Sequence, residues 1–146
     1  MLITEEYRNL NTKLHKANKN FGGKGYKRTT QVYERFINNY GLKNLLDYGC
    51  GKGTLGKELK RLYGIDITFY DPCYLEYNTH PSPKTFEGVI CNDILEHVEP
   101  ELLDNVLKDV YDLGTHMYHL EIGICPSNKT LADGRNAHLI IESSEW

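Results

Sequence analysis

The run Leu45-Leu46-Asp47-Tyr48-Gly49-Cys50-Gly51-Lys52-Gly53 constrains this chain more than any other stretch. An apolar strand end runs into an acid, then into three glycines at alternate positions. Glycine removes the side chain where a backbone must turn sharply and approach a ligand closely. The residues that follow, Thr54 to Leu62, read as a helix, so the loop feeds a helix N-terminus whose free N–H groups and dipole favour an anionic or polar small molecule. The expectation is a strand–loop–helix unit of an α/β protein holding a nucleotide-type cofactor.

The spacing narrows the cofactor. A dinucleotide fingerprint is G-x-G-x-x-G/A, and counting from Gly49 its third small residue falls on Thr54, whereas the glycine comes one residue early, at Gly53. Asp47 at the strand end is a poor neighbour for a pyrophosphate and a good one for an ammonium group. Two later segments extend the pattern. Ile65 to Tyr70 is a short β-branched and aromatic run ending at Asp71-Pro72, roughly twenty residues past the glycines, where an acid can accept hydrogen bonds from both hydroxyls of a ribose. Phe86 to Asn92 is a buried-type strand running into Asp93-Ile94-Leu95-Glu96-His97-Val98.

Taken in order, Asp47-x-Gly49-x-Gly51-x-Gly53, Asp71 and the Asp93–His97 run resemble the class I S-adenosylmethionine-dependent methyltransferases, with Glu87-Gly88 standing where that family usually carries a Phe-Asp pair. Asp133-Gly134-Arg135-Asn136-Ala137-His138-Leu139 and Trp146, with the upstream pairs Leu14-His15 and Phe21-Gly22, further resemble a small bacterial and bacteriophage methyltransferase-like subgroup. The resemblance implies an α/β, Rossmann-like, mostly parallel sheet of the class I type, minimal or C-terminally truncated, carrying N-terminal helices over residues 1–40 and a cofactor-binding core over 41–146. It implies S-adenosylmethionine as cofactor. Gly49, Cys50, Gly51 and Gly53 would surround it, Asp47 would orient its amino group and Asp71 with Pro72 would meet the ribose. Asn92 and Asp93 would line its methionine or adenine side.

The acceptor half is read more thinly. His97 lies where substrates usually enter, and a histidine there can take a proton; the competing reading is a histidine satisfied within the core. Arg135 and His138 form a polar group with Asn136, and a fixed Arg suits a carboxylate or phosphate, against a plain Asp-Gly turn. These three are the candidate catalytic residues. The acceptor is an undetermined small molecule or protein. Two alternatives stay open: a degenerate fold serving as a cofactor-binding or partner subunit, and a protein that consumes or sequesters S-adenosylmethionine. Asp71-Pro72-Cys73-Tyr74 mimics the D-P-P-Y element of adenine methyltransferases acting on a flipped base, but it follows the wrong strand and lacks the second proline.

Composition agrees. A chain of 146 residues is one domain that buries roughly 70% of its unfolded surface. A net charge of −3 does not favour nucleic acid, although Lys13, Lys16, Lys19, Lys24, Lys27 and Arg28 gather early as a solvated face or an anion-steering patch. Cys50, Cys73, Cys91 and Cys125 form no C-x-x-C pair and read as fillers in a reducing compartment. No apolar run reaches about 18 residues and no signal-peptide core opens the chain, so a soluble cytoplasmic protein is expected, in the host cytoplasm if viral. His116 and His119 face opposite sides of a strand, and no spacing predicts a metal.

The element reading starts with a helix capped by Thr4 and running to about Asn18, with Tyr7, Leu10 and Leu14 on one face. A second helix opens at Thr29 or Thr30 with Val32, Phe36 and Ile37 buried. Strands follow at 44–48, 65–70, 88–92, 116–124 and 137–142, with helices at 54–62 and 99–111. The last of these helices would face the sheet through Leu102, Leu103, Val106, Leu107 and Val110. The proline-rich segment 72–84 holds at most a degenerate strand, leaving the sheet short or completed by a second copy as a homodimer.

Overall fold

The computed structural model describes residues 1–23 and 26–146, and the side chains of residues 26–31 are outside that description. The early basic cluster therefore loses Lys24, and the side chains of Lys27 and Arg28, to the undescribed part.

Four parallel strands form one sheet in the order β2-β1-β3-β4: β1 Asn44–Tyr48, β2 Asp66–Tyr70, β3 Phe86–Asn92 and β4 Gly114–Glu121. A near-continuous apolar run is what a strand covered on both faces requires. In β1, Leu45 and Leu46 are both fully buried and point to opposite sides. Leu45 joins Tyr33, Ile37, Leu59, Ile67, Ile90 and Met117 under helices α2 (Tyr26–Tyr40) and α3 (Thr54–Tyr63). Leu46 and Tyr48 join Val89, Cys91, Val106, Val110 and Leu113 under α4 (Leu103–Leu113). The sheet is thus covered by helices on both faces, the Rossmann-like α/β arrangement expected.

Helix α1 (Glu5–Ala17) belongs to neither layer. Thr4 caps it by accepting from Tyr7 N at 3.2 Å. Its outward bonds all go to loops beyond the carboxyl ends of the strands: Thr4 N and Oγ1 donate to Glu99 (2.9 and 2.6 Å), Tyr7 Oη to the His97 carbonyl (2.6 Å), and Thr12 Oγ1 to the Cys73 carbonyl (3.1 Å). The strand order reverses between β1 and β3, and α1 roofs that switch point, where open α/β sheets place their ligands.

Several sequence expectations shift. The buried face of α1 carries Tyr7 and Asn11, with Leu10 and Leu14 only half-buried. In α2, which starts at Tyr26, Val32 is 40% exposed and Tyr33 fully buried beside Ile37. In α4, Leu107 is 37% exposed, and Leu113 joins Val106 and Val110 against the sheet, one helical turn beyond Val110. Segment 72–85 contains a 3₁₀ turn, Leu75–Tyr77, and no strand. The strand expected at 137–142 is absent. The backbone there bonds elsewhere: Leu139 N and Ile140 N donate to the Glu96 carbonyl (2.8 and 3.0 Å), and Ala137 N to the Lys129 carbonyl (3.0 Å). Those bonds spend the donors that a fifth ladder would need. Among the described residues no helix is long and apolar enough to cross a membrane.

Candidate active site

At the carboxyl end of β1 the glycine loop folds back on the protein. Gly49, Gly51 and Gly53 all have positive φ (73°, 53° and 66°), a conformation that costs an L side chain roughly 1–2 kcal/mol. A Cβ on Gly49 would overlap Ile94, and one on Gly51 would overlap the Gly22 carbonyl. The Phe21-Gly22-Gly23 segment thus lies flat on the loop, tied by Lys52 N donating to the Gly22 carbonyl at 2.8 Å. Lys52 Nζ then donates to the carbonyls of Asn18 and Lys19 beyond α1. Gly51→Ala is expected to lower the melting temperature by several degrees and to detach the 18–23 segment, measurable as faster amide exchange there; unchanged exchange would contradict the contact.

The loop's N–H groups are not free, which corrects the sequence expectation of open donors for an anionic or polar ligand. Gly49 N and Cys50 N both donate to the Tyr70 carbonyl (2.7 and 3.0 Å), Gly51 N to Asp71 Oδ2 (2.8 Å), Lys52 N to Gly22 and Gly53 N to Cys50 (2.8 Å). Every donor from 49 to 53 is spent inside the protein. What faces the cavity instead is carboxylate.

That cavity, about 580 Å³, is walled by α1, the 20–23 segment, the glycine loop and the loops after β2, β3 and β4. A volume of this size suits a small-molecule ligand. It gathers Asp47, Gly49, Cys50, Gly51, Asp71, Pro72, Asn92, Asp93, His97 and His138 from the sequence-derived set. Gly53 is not on its wall: it caps α3 and packs on Phe69 and Tyr77. Arg135 is not there either. Its guanidinium is held by Asp133 at 2.7 Å on the protein surface and sits over the Tyr7 ring. Asn136 braces the turn that presents His138, accepting from Ser127 N and His138 N and donating to the Ser127 carbonyl.

Asp47 is buried, accepts from Gly56 N at 3.2 Å, and is pushed up to about 7, by burial first and by the neighbouring Asp71. Asp71, also buried, accepts from Gly51 N on one oxygen and from Cys73 N on the other, both at 2.8 Å. Each of its oxygens keeps a lone pair for a ligand. Burial, with Asp47 and Asp71 alongside, raises the Cys50 thiol far above its ordinary range, so it is no nucleophile. Asn92 donates to the Tyr33 hydroxyl at 2.5 Å and leaves its buried Oδ1 without a partner. Asp93 is the non-glycine residue with positive φ (52°) among those described, held by its N–H to the Glu121 carbonyl at 2.8 Å. A constrained backbone of this kind is common where a side chain is aimed at a ligand.

His97 Nδ1 bonds the Ala137 carbonyl at 2.7 Å, and burial, helped by His138, lowers its pKa to about 4. The ring is neutral at pH 7 and a weak base. Glu96, 1% exposed, accepts from Gly123 N on Oε1 at 2.7 Å and leaves Oε2 unpartnered.

Sequence reading missed the roof. Tyr7, Asn11 and His15 recur every four residues along α1 and all line the cavity. His15 Nδ1 is buried without a partner, and burial lowers the ring's pKa. A polar stripe inside an otherwise amphipathic helix was the available signal. Glu99 and Glu121 also line the cavity, from positions that belong to no motif.

No curated protein and no solved structure matches this chain. A family model described as a methyltransferase domain matches residues 10–129, a span that takes in the roof helix from its second turn onward, the glycine loop, Asp71 and the Asp93–His97 run. On that match and on the helix-covered parallel sheet beneath the cavity, the chain belongs to the methyltransferase domain family.

Proposed function

We propose that the protein binds S-adenosylmethionine in the cavity under α1 and transfers its methyl group to an acceptor that enters beside His97 and His138. The carrying observation is the electrostatics of the wall. Asp47, Asp71, Asp93, Glu99 and Glu121 line it, while the loop that would hold a phosphate has no N–H to spare. Asp47 and Asp71 are buried while Asp93, Glu99 and Glu121 stand at the more open part of the wall, and carboxylates gathered in this way favour a cationic ligand. A sulfonium with an amino-acid ammonium is such a ligand, and a dinucleotide is not. The unpartnered Asn92 Oδ1 and His15 Nδ1 supply further polar contacts on the same wall.

In this reading Asp71 holds the ribose diol with its two remaining lone pairs, Asp47 faces the amino group, and Cys50, Pro72, Asn92 and Asp93 complete the cofactor side. When bound, the cofactor supplies an electrophilic methyl, so the chemistry asks the protein chiefly for in-line positioning. The roof of α1 and the 20–23 segment exclude water from it. Three buried free cysteines, Cys50, Cys73 and Cys91, support a reducing, cytoplasmic setting, and the acidic wall speaks against nucleic acid as the acceptor.

Isothermal titration with S-adenosylmethionine and with its demethylated product tests the proposal. One site per chain for both is expected. Heat from neither would overturn it. Cofactor turnover without added acceptor would instead favour the consuming protein. A non-catalytic partner subunit has one observation of its own: β4 is an edge strand whose Leu120, with Ile122 and Ile124 just beyond, is about half exposed. Light scattering would read a homodimer mass if that edge is where a second copy pairs.

A further inference from the structure

We propose that Glu96, His97 and His138 form a binding site for one divalent first-row transition-metal ion in the wall of the cavity. One ligand atom from each of these side chains lies within 4.8 Å of the others, a spread that small side-chain rotations close to the ~2.0–2.2 Å metal–ligand bonds of histidine and carboxylate.

The tautomers are already set for it. A carbonyl only accepts, so His97 must donate Nδ1–H to Ala137 (2.7 Å) and His138 must donate Nδ1–H to Cys125 (2.6 Å). Each ring is left with a bare Nε2 lone pair. Metal-binding histidines are oriented in this way, through the other ring nitrogen on a backbone carbonyl. The two rings meet edge-to-face with centroids 4.6 Å apart, so their orientations are coupled.

The carboxylate is the independent observation. Glu96 is 1% exposed, and its Oε2 has no partner. A buried polar atom in that state needs a reason, an ion being one. Gly123 closes over the group: a Cβ there would overlap Glu96 Oε1 and sit 3.1 Å from His138 Cε1. The ligands are thus packed in place by β3's exit turn on one side and the segment after β4 on the other.

Two imidazoles and one carboxylate select a borderline divalent ion, zinc, cobalt, manganese or iron, over calcium or magnesium. Three protein ligands are the pattern of a site that keeps a position open. Both histidines line the cavity, so that position opens into it and takes water or another oxygen donor. His138 is far from Glu96 and His97 in sequence, which is why motif spacing predicted no metal.

The test uses the full chain stripped with a chelator and titrated with cobalt, zinc or manganese chloride alone, with no cofactor or acceptor present. Uptake of one ion per chain is expected, with visible ligand-field bands for cobalt. Loosening an outer-shell partner of a metal ligand costs roughly 10–100-fold in affinity, so His138→Ala, which removes a ligand, should lose about 100-fold or more. Glu96→Gln keeps an acceptor for Gly123 N and should lose as much. His119→Ala, outside the group, should bind as the parent does. Circular dichroism checks that each variant is folded, and the half-buried His138 stands as the test should Glu96→Gln unfold. No stoichiometric uptake of any ion, or parental affinity in folded His138→Ala, overturns the proposal. Because no cofactor is used, that failure leaves the methyltransferase reading to its own titration.

Discussion

Asp71→Ala is expected to damage the protein twice, and the two losses are separable. Its buried carboxylate accepts from Gly51 N and Cys73 N, each at 2.8 Å. Hydrogen bonds to a charged group contribute roughly 1.5–3 kcal/mol apiece, and a buried donor left bare costs its desolvation as well. Loss of the pair is expected to remove on the order of 3–6 kcal/mol, seen as a large drop in the urea midpoint at unchanged m-value. The second loss concerns the ligand. If the remaining lone pairs hold the ribose diol, S-adenosylmethionine affinity in the folded variant falls by roughly 10- to 150-fold, the binding equivalent of about 1.5–3 kcal/mol. Titration well below the variant's melting temperature reads this separately. A folded Asp71→Ala protein with parental affinity would refute the ribose assignment while leaving the structural role intact. A variant as stable as the parent would refute the structural role.

Asp71 also illustrates what the sequence can disclose. An acid after a short β-branched strand was legible as a residue at the strand's carboxyl end, on the cavity wall, because its place depends only on local order: strand, then turn. β1 was legible for a similar reason, since Leu45 and Leu46 are both apolar and only a strand buried on both faces uses such a run. What the acid does was not legible. Its backbone bonds tie the glycine loop to the 71–73 turn, and these exist only after β1 and β2 pair in the register Asp47↔Phe69.

The misreadings share a cause. Val32 and Tyr33 are adjacent and both apolar, and only the direction in which α2 meets α3 decides which is covered. The 137–142 run carries Leu139, Ile140 and Ile141 in succession and so reads as a strand, yet Glu96's carbonyl takes the N–H groups of Leu139 and Ile140. Arg135 looked like an anion clamp until Asp133, two residues away, claimed its guanidinium. The glycine loop was located correctly, but its N–H groups were read as free, whereas Tyr70, Asp71 and Gly22 consume most of them, partners that tertiary contact alone supplies. The proximity of Glu96, His97 and His138 was equally hidden from the sequence, since two are neighbours within a motif and the third is brought in by the segment beyond β4.

Asp47 should show the trade between stability and ligand binding most directly. Its carboxyl is buried and stands at about 7 in the folded protein against an ordinary 3.8, chiefly because burial disfavours the charge. Between those values the folded state holds a proton that the unfolded chain has released. Stability therefore falls as pH rises through that window and levels off above about 7. At about 1.4 kcal/mol per pH unit, the full penalty above pH 7 is on the order of 4 kcal/mol. Asp47→Asn keeps an acceptor for Gly56 N and carries no charge. It is expected to be more stable than the parent at about pH 8, with the advantage shrinking towards pH 4, as urea titrations across that range would show. Ligand binding should move the opposite way. A cofactor ammonium facing Asp47 requires the ionised carboxylate, so parental affinity should climb up to about tenfold per pH unit below 7 and plateau above it, while Asp47→Asn should bind weakly with a flat profile. Both arms follow from one buried charge: a carboxylate costly to hold in the empty cavity is stabilised when a cation enters. An Asn variant less stable than the parent at pH 8 would contradict the first arm. A parental affinity that does not change between about pH 5 and 8 would contradict the second, and with it the placement of the ammonium beside Asp47.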